Sequence, residues 1–153
     1  MKTLCENVLQ ILKGRTLVTA ESLTGGGIGQ MLTSVSGSSE VYKGGVISYR
    51  NEVKHQVLGV SQDTLMQHGA VSAQSAAQMV AGVRKLLNAD VAVSVTGLAG
   101  PGGDDFGHSV GTVFIGYESE REATVRQYQF DGDRDSVRYQ TIRAALLLIL
   151  EME

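Results

Sequence analysis

Apolar residues recur at helical spacing in several stretches of the chain, and short apolar runs of strand length separate them. Leu4, Val8, Leu9, Ile11 and Leu12 place one apolar stripe on an amino-terminal helix that Gly14 stops. Thr16 to Ala20 is a β-prone run, after which Ile28, Met31, Leu32 and Val35 return to helical spacing as far as the Ser36 to Ser39 loop. Val41 to Tyr49 predicts a second strand, in which Gly44 and Gly45 signal a bulge or the close approach of another backbone. Asn51 to Leu58 and Ser61 to Met66 predict short helices. Ser72 is a plausible N-cap for a longer one, with Ala76, Met79, Val80, Val83, Leu86 and Leu87 on one side. Val91 to Val95 shows no alternation, as suits a strand covered on both faces. Gly111 to Tyr117 and Ala123 to Phe130 predict two strands of a hairpin, and a last helix starts within Asp131 to Asp135 and runs toward Glu153.

Strands and helices alternate first and a hairpin follows. The predicted fold is therefore α/β, a single three-layer α/β/α domain over residues 1–153 with a mixed, mostly parallel sheet. A length of 153 residues suits one domain, and 42% hydrophobic with 19% charged residues is a globular composition without the polar bias of disorder. The longest apolar stretch, Ala144 to Leu150, is too short to cross a bilayer. The net charge is −3 and the basic residues are dispersed, which argues against a nucleic-acid or membrane partner and for a small molecule. The amino terminus reads as an amphipathic helix rather than an export signal, so the expected location is the cytoplasm. Cys5 has no partner for an internal disulfide and reads as a small buried hydrophobe, while the three histidines lack ligand spacing, so no metal is expected.

Two glycine-dense loops, around Thr24 to Gly27 and Gly97 to Gly103, each follow an apolar strand. Ligands in open α/β sheets bind beyond the carboxyl ends of strands, so the two loops are expected to share one pocket. The helix after Gly27 would then offer its positive end to an anion such as phosphate. Ser22 stands at the strand-to-helix junction, either as a helix cap or as a nucleophile whose oxyanion nearby backbone N–H groups stabilise. Neither a GxSxG elbow nor an SxxK motif surrounds it, so a base has to come from elsewhere. Lys54 is the candidate, provided that burial and a nearby cation lower its pKa from about 10.4. Tyr49 could relay the proton or orient the lysine, and Asn51 could bind an amide or a ribose hydroxyl. The alternatives are a surface lysine, a half-buried tyrosine and an Asn turn.

The segments Thr19-Ala20-Glu21-Ser22-Leu23-Thr24-Gly25-Gly26, Gly37-Ser38-Ser39, Tyr49-Arg50-Asn51-Glu52-Val53-Lys54, Gly69-Ala70-Val71-Ser72, Thr96-Gly97-Leu98-Ala99-Gly100-Pro101, Val110-Gly111-Thr112-Val113 and Gly132-Asp133-Arg134 follow one another along essentially the whole chain. In content and order they resemble the CinA carboxy-terminal domain family, whose stand-alone members are nicotinamide-nucleotide amidases. The resemblance implies hydrolysis of the carboxamide of nicotinamide mononucleotide to nicotinate mononucleotide and ammonia, a step of pyridine nucleotide salvage, with no cofactor and with a homo-oligomeric assembly. It places the nucleophile on Ser22, the base on Lys54 and the assisting tyrosine on Tyr49. Backbone groups around Thr24, Gly25 and Gly26 are then expected to form the oxyanion hole, and Gly97, Ala99, Gly100 and Arg134 to hold the ribose phosphate. Two further readings stay open: a non-catalytic pyridine-nucleotide-binding or regulatory module, and an amidase for another carboxamide. The chain departs from the family's usual pattern at Leu23, where Cys is common, and at His108-Ser109, where a Lys-Pro or similar pair precedes Val-Gly-Thr-Val.

Overall fold

The computed structural model describes all residues, 1–153. The chain runs α1 (Lys2–Ile11), β1 (Leu17–Glu21), α2 (Gly27–Thr33), a 3-10 turn (Ser38–Glu40), β2 (Tyr42–Ile47), α3 (Asn51–Leu58), α4 (Gln62–Gln67), α5 (Ala73–Leu86), β3 (Val91–Gly97), β4 (Thr112–Ser119), β5 (Ala123–Gln129) and α6 (Arg134–Met152). Three helices start on the side-chain caps their sequences offer. Ser61, Ser72 and Asp133 accept hydrogen bonds from the N–H groups of Thr64, Ser75 and Ser136, each worth about 1 kcal/mol.

The five strands lie in the order β2-β1-β3-β4-β5. β1 pairs in parallel with β2 and with β3, whereas β3 with β4 and β4 with β5 are antiparallel. The sheet is thus mixed, and its parallel share is two pairings of four. The glycines of β2 coincide with a shift of register between Leu17 and Val18, which face Tyr42 and Gly44 and leave Lys43 as the extra residue of a bulge.

Helices cover both faces of the sheet. Leu17 of β1, Val91, Val93 and Val95 of β3, and Val113, Ile115 and Tyr117 of β4 pack with buried residues of α1, α2 and α6. Val18 and Ala20 of β1 and Ala92 of β3 pack on the other face, against Met79, Val80 and Val83 of α5 and against Leu58 and Leu65. All five residues of β1 are buried, and so are Val91 to Val95 of β3, the run whose lack of alternation predicts a strand covered on both faces. Cys5 lies within the first cluster as the small hydrophobe expected. No helix is long and apolar enough to cross a membrane.

The parallel half of the sheet positions the site. Glu21 stands level with Ile47 on one side and Val95 on the other, so the residues that follow them leave the sheet side by side. The N–H of Ser22 donates to the carbonyl of Val95 at 3.1 Å, and the N–H of Ser48 to that of Glu21 at 2.8 Å. β2 stops at Ile47, two residues before the end its hydrophobic pattern predicts, because the carbonyls of Ser48 and Tyr49 turn toward Lys54.

Candidate active site

A pocket of about 280 Å³ opens at the carboxyl ends of β1, β2 and β3. Ser22 and Leu23 come to it from the turn after β1, Tyr49, Asn51 and Lys54 from the segment after β2, and Thr96 to Ala99 from β3 and its loop. Ala70 and Val71 close the side before α5, and Arg134 stands at the start of α6. The turn after β1 and the loop after β3 therefore meet at one cavity, the first through Ser22 and Leu23 only, with Thr24 to Gly27 outside its lining.

Lys54, on the first turn of α3, is 1% exposed, and its ammonium has no acidic partner among its contacts. Its Nζ lies 2.8 Å from Ser22 Oγ, 2.6 Å from the Ser48 carbonyl and 3.2 Å from the Tyr49 carbonyl. In the charged form all three N–H bonds donate. In the neutral form two N–H bonds suffice for the two carbonyls, and the lone pair is left facing the Ser22 hydroxyl. Burial alone pushes the Lys54 pKa down to about 8, without the neighbouring cation that the sequence argument invoked. At that value roughly a tenth of the side chain is neutral at pH 7, against less than about a thousandth for a solvated lysine. The arrangement supplies a hydroxyl with a proton acceptor in reach, the minimum that serine chemistry needs.

Several expectations are relocated. The Tyr49 hydroxyl does not reach Lys54: it accepts a hydrogen bond from Arg134 Nη2 at 2.8 Å, and the backbone carbonyl of Tyr49 is what orients the lysine. Thr24 is 1% exposed and directs its hydroxyl to Glu21 Oε1 at 2.6 Å, away from the pocket. Gly25 and Gly26 also lie outside the lining, the Gly25 N–H being used by the Ser22 carbonyl at 3.0 Å. Donors directed to no atom of the chain are the N–H groups of Leu23, Thr24 and Gly26. Gly97 and Ala99 line the pocket, whereas Gly100 is buried behind it with its carbonyl bonded to Arg134 Nη1 at 2.8 Å. Asn51 stands exposed at the rim.

The amino end of α2 holds no open anion site. Glu21, only 2% exposed, accepts the N–H groups of Ile28 and Gly29 at 2.8 and 3.0 Å, so the chain's own carboxylate occupies the place expected for a phosphate. Sequence reasoning missed this residue, although an acid at the end of the run Leu17-Val18-Thr19-Ala20 is a visible anomaly. It also missed Arg138, one helical turn beyond Arg134, whose Nε donates to the Leu23 carbonyl at 3.0 Å and whose Nη2 donates to the Thr24 carbonyl at 3.4 Å. Of the departures from the family pattern, Leu23 lines the pocket at 4% exposure. His108 and Phe106 border a separate cavity with His68 and Ser72, and Asp104 holds His108 Nδ1 at 2.8 Å there.

Fold and site together define a class: an open mixed α/β sheet with a buried serine–lysine pair at the carboxyl ends of its parallel strands. The profile of the CinA C-terminal domain matches residues 1–152, and the chain belongs to that family. It is 44% identical over 146 residues to the nicotinamide-nucleotide amidohydrolase PncC of Escherichia coli K12, covering 94% of this chain and 88% of that protein. It is also 44% identical to a CinA-like protein of Thermotoga neapolitana, with 92% of this chain aligned to 35% of the longer relative. The chain thus spans about a third of the length of the CinA-like relatives it matches. Among solved structures, a CinA superfamily protein of Escherichia coli superposes with a TM-score of 0.97 at 30% identity over 99% of this chain and 90% of that one. The competence damage-inducible protein A of Klebsiella pneumoniae gives a TM-score of 0.95 at 34% identity, over 98% and 94% of the two chains.

Proposed function

We propose that the chain, acting as one catalytic domain, is an amidase that hydrolyses the carboxamide of nicotinamide mononucleotide to nicotinate mononucleotide and ammonia. The observation that carries this reading is the 2.8 Å contact between Ser22 Oγ and a buried Lys54 whose other two N–H directions are taken by backbone carbonyls. The near full-length similarity to the Escherichia coli nicotinamide-nucleotide amidohydrolase supports a nicotinamide nucleotide as the substrate.

In this mechanism Ser22 Oγ attacks the carboxamide carbon as neutral Lys54 removes its proton. The N–H groups of Leu23 and Thr24, which directly follow the nucleophile, stabilise the oxyanion. Lys54 then hands the proton to the leaving nitrogen, the C–N bond breaks and ammonia departs. Water attacks the acyl-enzyme with Lys54 again taking a proton. As the second tetrahedral intermediate collapses the C–Oγ bond breaks, Lys54 returns that proton to Ser22 Oγ, and the acid leaves as the carboxylate, its proton passing to solvent. Arg134, at the pocket mouth, binds the 5′-phosphate, with Asn51 beside the ribose. A cytoplasmic setting, and the homo-oligomeric assembly implied by the resemblance, belong to the same reading.

The test is ammonia release from nicotinamide mononucleotide by the wild type, Ser22→Ala and Lys54→Ala. Each variant should lose activity by about 10³-fold or more while staying folded. Full activity of folded Ser22→Ala, or pyridine-nucleotide binding without turnover by the wild type, would overturn the reading. Because the base works only when neutral, kcat/KM of the wild type should rise about tenfold per pH unit below about 8 and level off above it. A panel of carboxamides with and without the phosphate separates this substrate from others that Leu23 would admit.

A further inference from the structure

The acid next to the nucleophile has no part in the mechanism above. Glu21 is 2% exposed, and its carboxylate is ringed by donors: Thr24 Oγ1 and the Ile28 N–H reach Oε1 at 2.6 and 2.8 Å, while the Gly29 N–H and Thr19 Oγ1 reach Oε2 at 3.0 and 3.4 Å. A carboxylate this far from water persists only because its acceptor positions are filled. Three of its donors, Thr24, Ile28 and Gly29, lie beyond Ser22 in sequence, so one side chain closes a loop around the nucleophile. From the other side Arg138 holds the carbonyls of Leu23 and Thr24. Between these two supports the N–H groups of Leu23 and Thr24 stay directed to no internal acceptor.

We propose that Glu21 is the positioning residue of the Ser22 turn: its carboxylate fixes the nucleophile and the two following N–H groups in their reactive arrangement, and by occupying the α2 amides it keeps the substrate's anionic group away from that helix. The proposal rests on the amidase reading for its kinetic readout. Glu21 touches neither Lys54 nor the pocket, so it acts through geometry and leaves the charge of the base alone. The geometry needs a carboxylate in particular. A glutamine would turn an N–H donor toward either Thr24 and Ile28 or Gly29, and one of those contacts would become repulsive.

The decisive experiment compares the wild type, Glu21→Gln and Thr24→Val in two assays: turnover of nicotinamide mononucleotide, and labelling of Ser22 by an alkyl fluorophosphonate, which requires no natural substrate. Expected for Glu21→Gln is a 10- to 100-fold loss in kcat and a parallel loss in labelling rate, with KM within twofold and the pH midpoint still near 8. Thr24→Val, which removes one donor at nearly constant shape, should lose several-fold in kcat, and it carries the test if Glu21→Gln fails to fold. Folded Glu21→Gln or Thr24→Val with wild-type kcat and labelling would overturn the proposal, as would a loss confined to KM or to melting temperature. A wild type that labels at Ser22 in a Glu21-dependent way but releases no ammonia would sink the amidase reading and leave this inference standing. A wild type that does neither would sink both.

Discussion

The two glycine-dense loops look alike in sequence and are held in opposite ways. After β1, the turn from Ser22 to Gly27 is braced by side chains, with the Glu21 carboxylate on one side and the Arg138 guanidinium on the other. Its glycines serve backbone geometry, Gly26 capping α2 at a φ of 98° that a side chain would strain. After β3, the loop from Gly97 is held mainly by backbone: the Leu98 N–H donates to the Thr112 carbonyl at 3.0 Å and the Gly111 N–H returns to Leu98 at 2.8 Å, with Arg134 Nη1 on the Gly100 carbonyl as a side-chain contact. Gly97 is there for space, since a Cβ would lie 2.6 Å from Val113 Cγ2 and 2.8 Å from the Thr112 carbonyl. Side-chain bracing can place a reactive hydroxyl and its N–H donors relative to one another. Backbone bracing makes a wall, against which a ligand can be oriented but on which no reactive group is carried.

This contrast predicts that changes in the second loop act on stability and binding, and changes around the first on turnover. Gly97→Val should have the largest effect, a loss of about 2–4 kcal/mol in urea unfolding, because the backbone of β4 cannot yield to a side chain. A Gly97→Val protein of wild-type stability would break the comparison. Arg134→Ala, at the wall side, should raise KM for nicotinamide mononucleotide about 10- to 100-fold with kcat within a few-fold, and the defect should vanish for a substrate lacking the phosphate. A loss mainly in kcat would assign Arg134 to the chemistry instead.

Lys54→Met should destroy activity yet stabilise the fold. The folded pKa near 8 lies below the usual 10.5, so the unfolded chain holds the extra proton between these values, and the buried ammonium costs stability below pH 8. Removing it should add about 1–2 kcal/mol at pH 7 once the two carbonyls left unpaired are counted, and the gain should shrink as pH climbs from 8 to 10. Calorimetry at a series of pH values checks the sign. The smallest effect is expected from Arg138→Gln. It should lower kcat by less than about tenfold with KM unchanged, since Glu21 still holds the turn from the other side.

Much of the architecture was legible along the chain. The strand and helix segments, the Ser72 cap and the hairpin follow from local patterning, and local patterning survives in the fold because burial of one helix stripe or both strand faces is what drives each element. Ser22, Lys54, Gly97, Ala99 and Arg134 were candidates from sequence position and family resemblance, and the structure gathers them around one pocket. The roles of Tyr49, Thr24, Gly25 and the α2 terminus were not legible. Each depends on which of several donors and acceptors lies nearest in space, and Tyr49 meets Arg134 from 85 residues away.

The sequence by itself determined the alternation of elements, the two glycine-dense turns and the family. Only the tertiary structure decided that Lys54 is buried beside Ser22, that Glu21 fills the end of α2 and that Arg138 supports the nucleophile from behind. The physical reason is that propensity and periodicity are properties of neighbours along the chain. The ionisation of a lysine and the direction of a hydrogen bond are instead set by desolvation and by partners that only the parallel pairing of β1 with β2 and β3 brings within 3 Å.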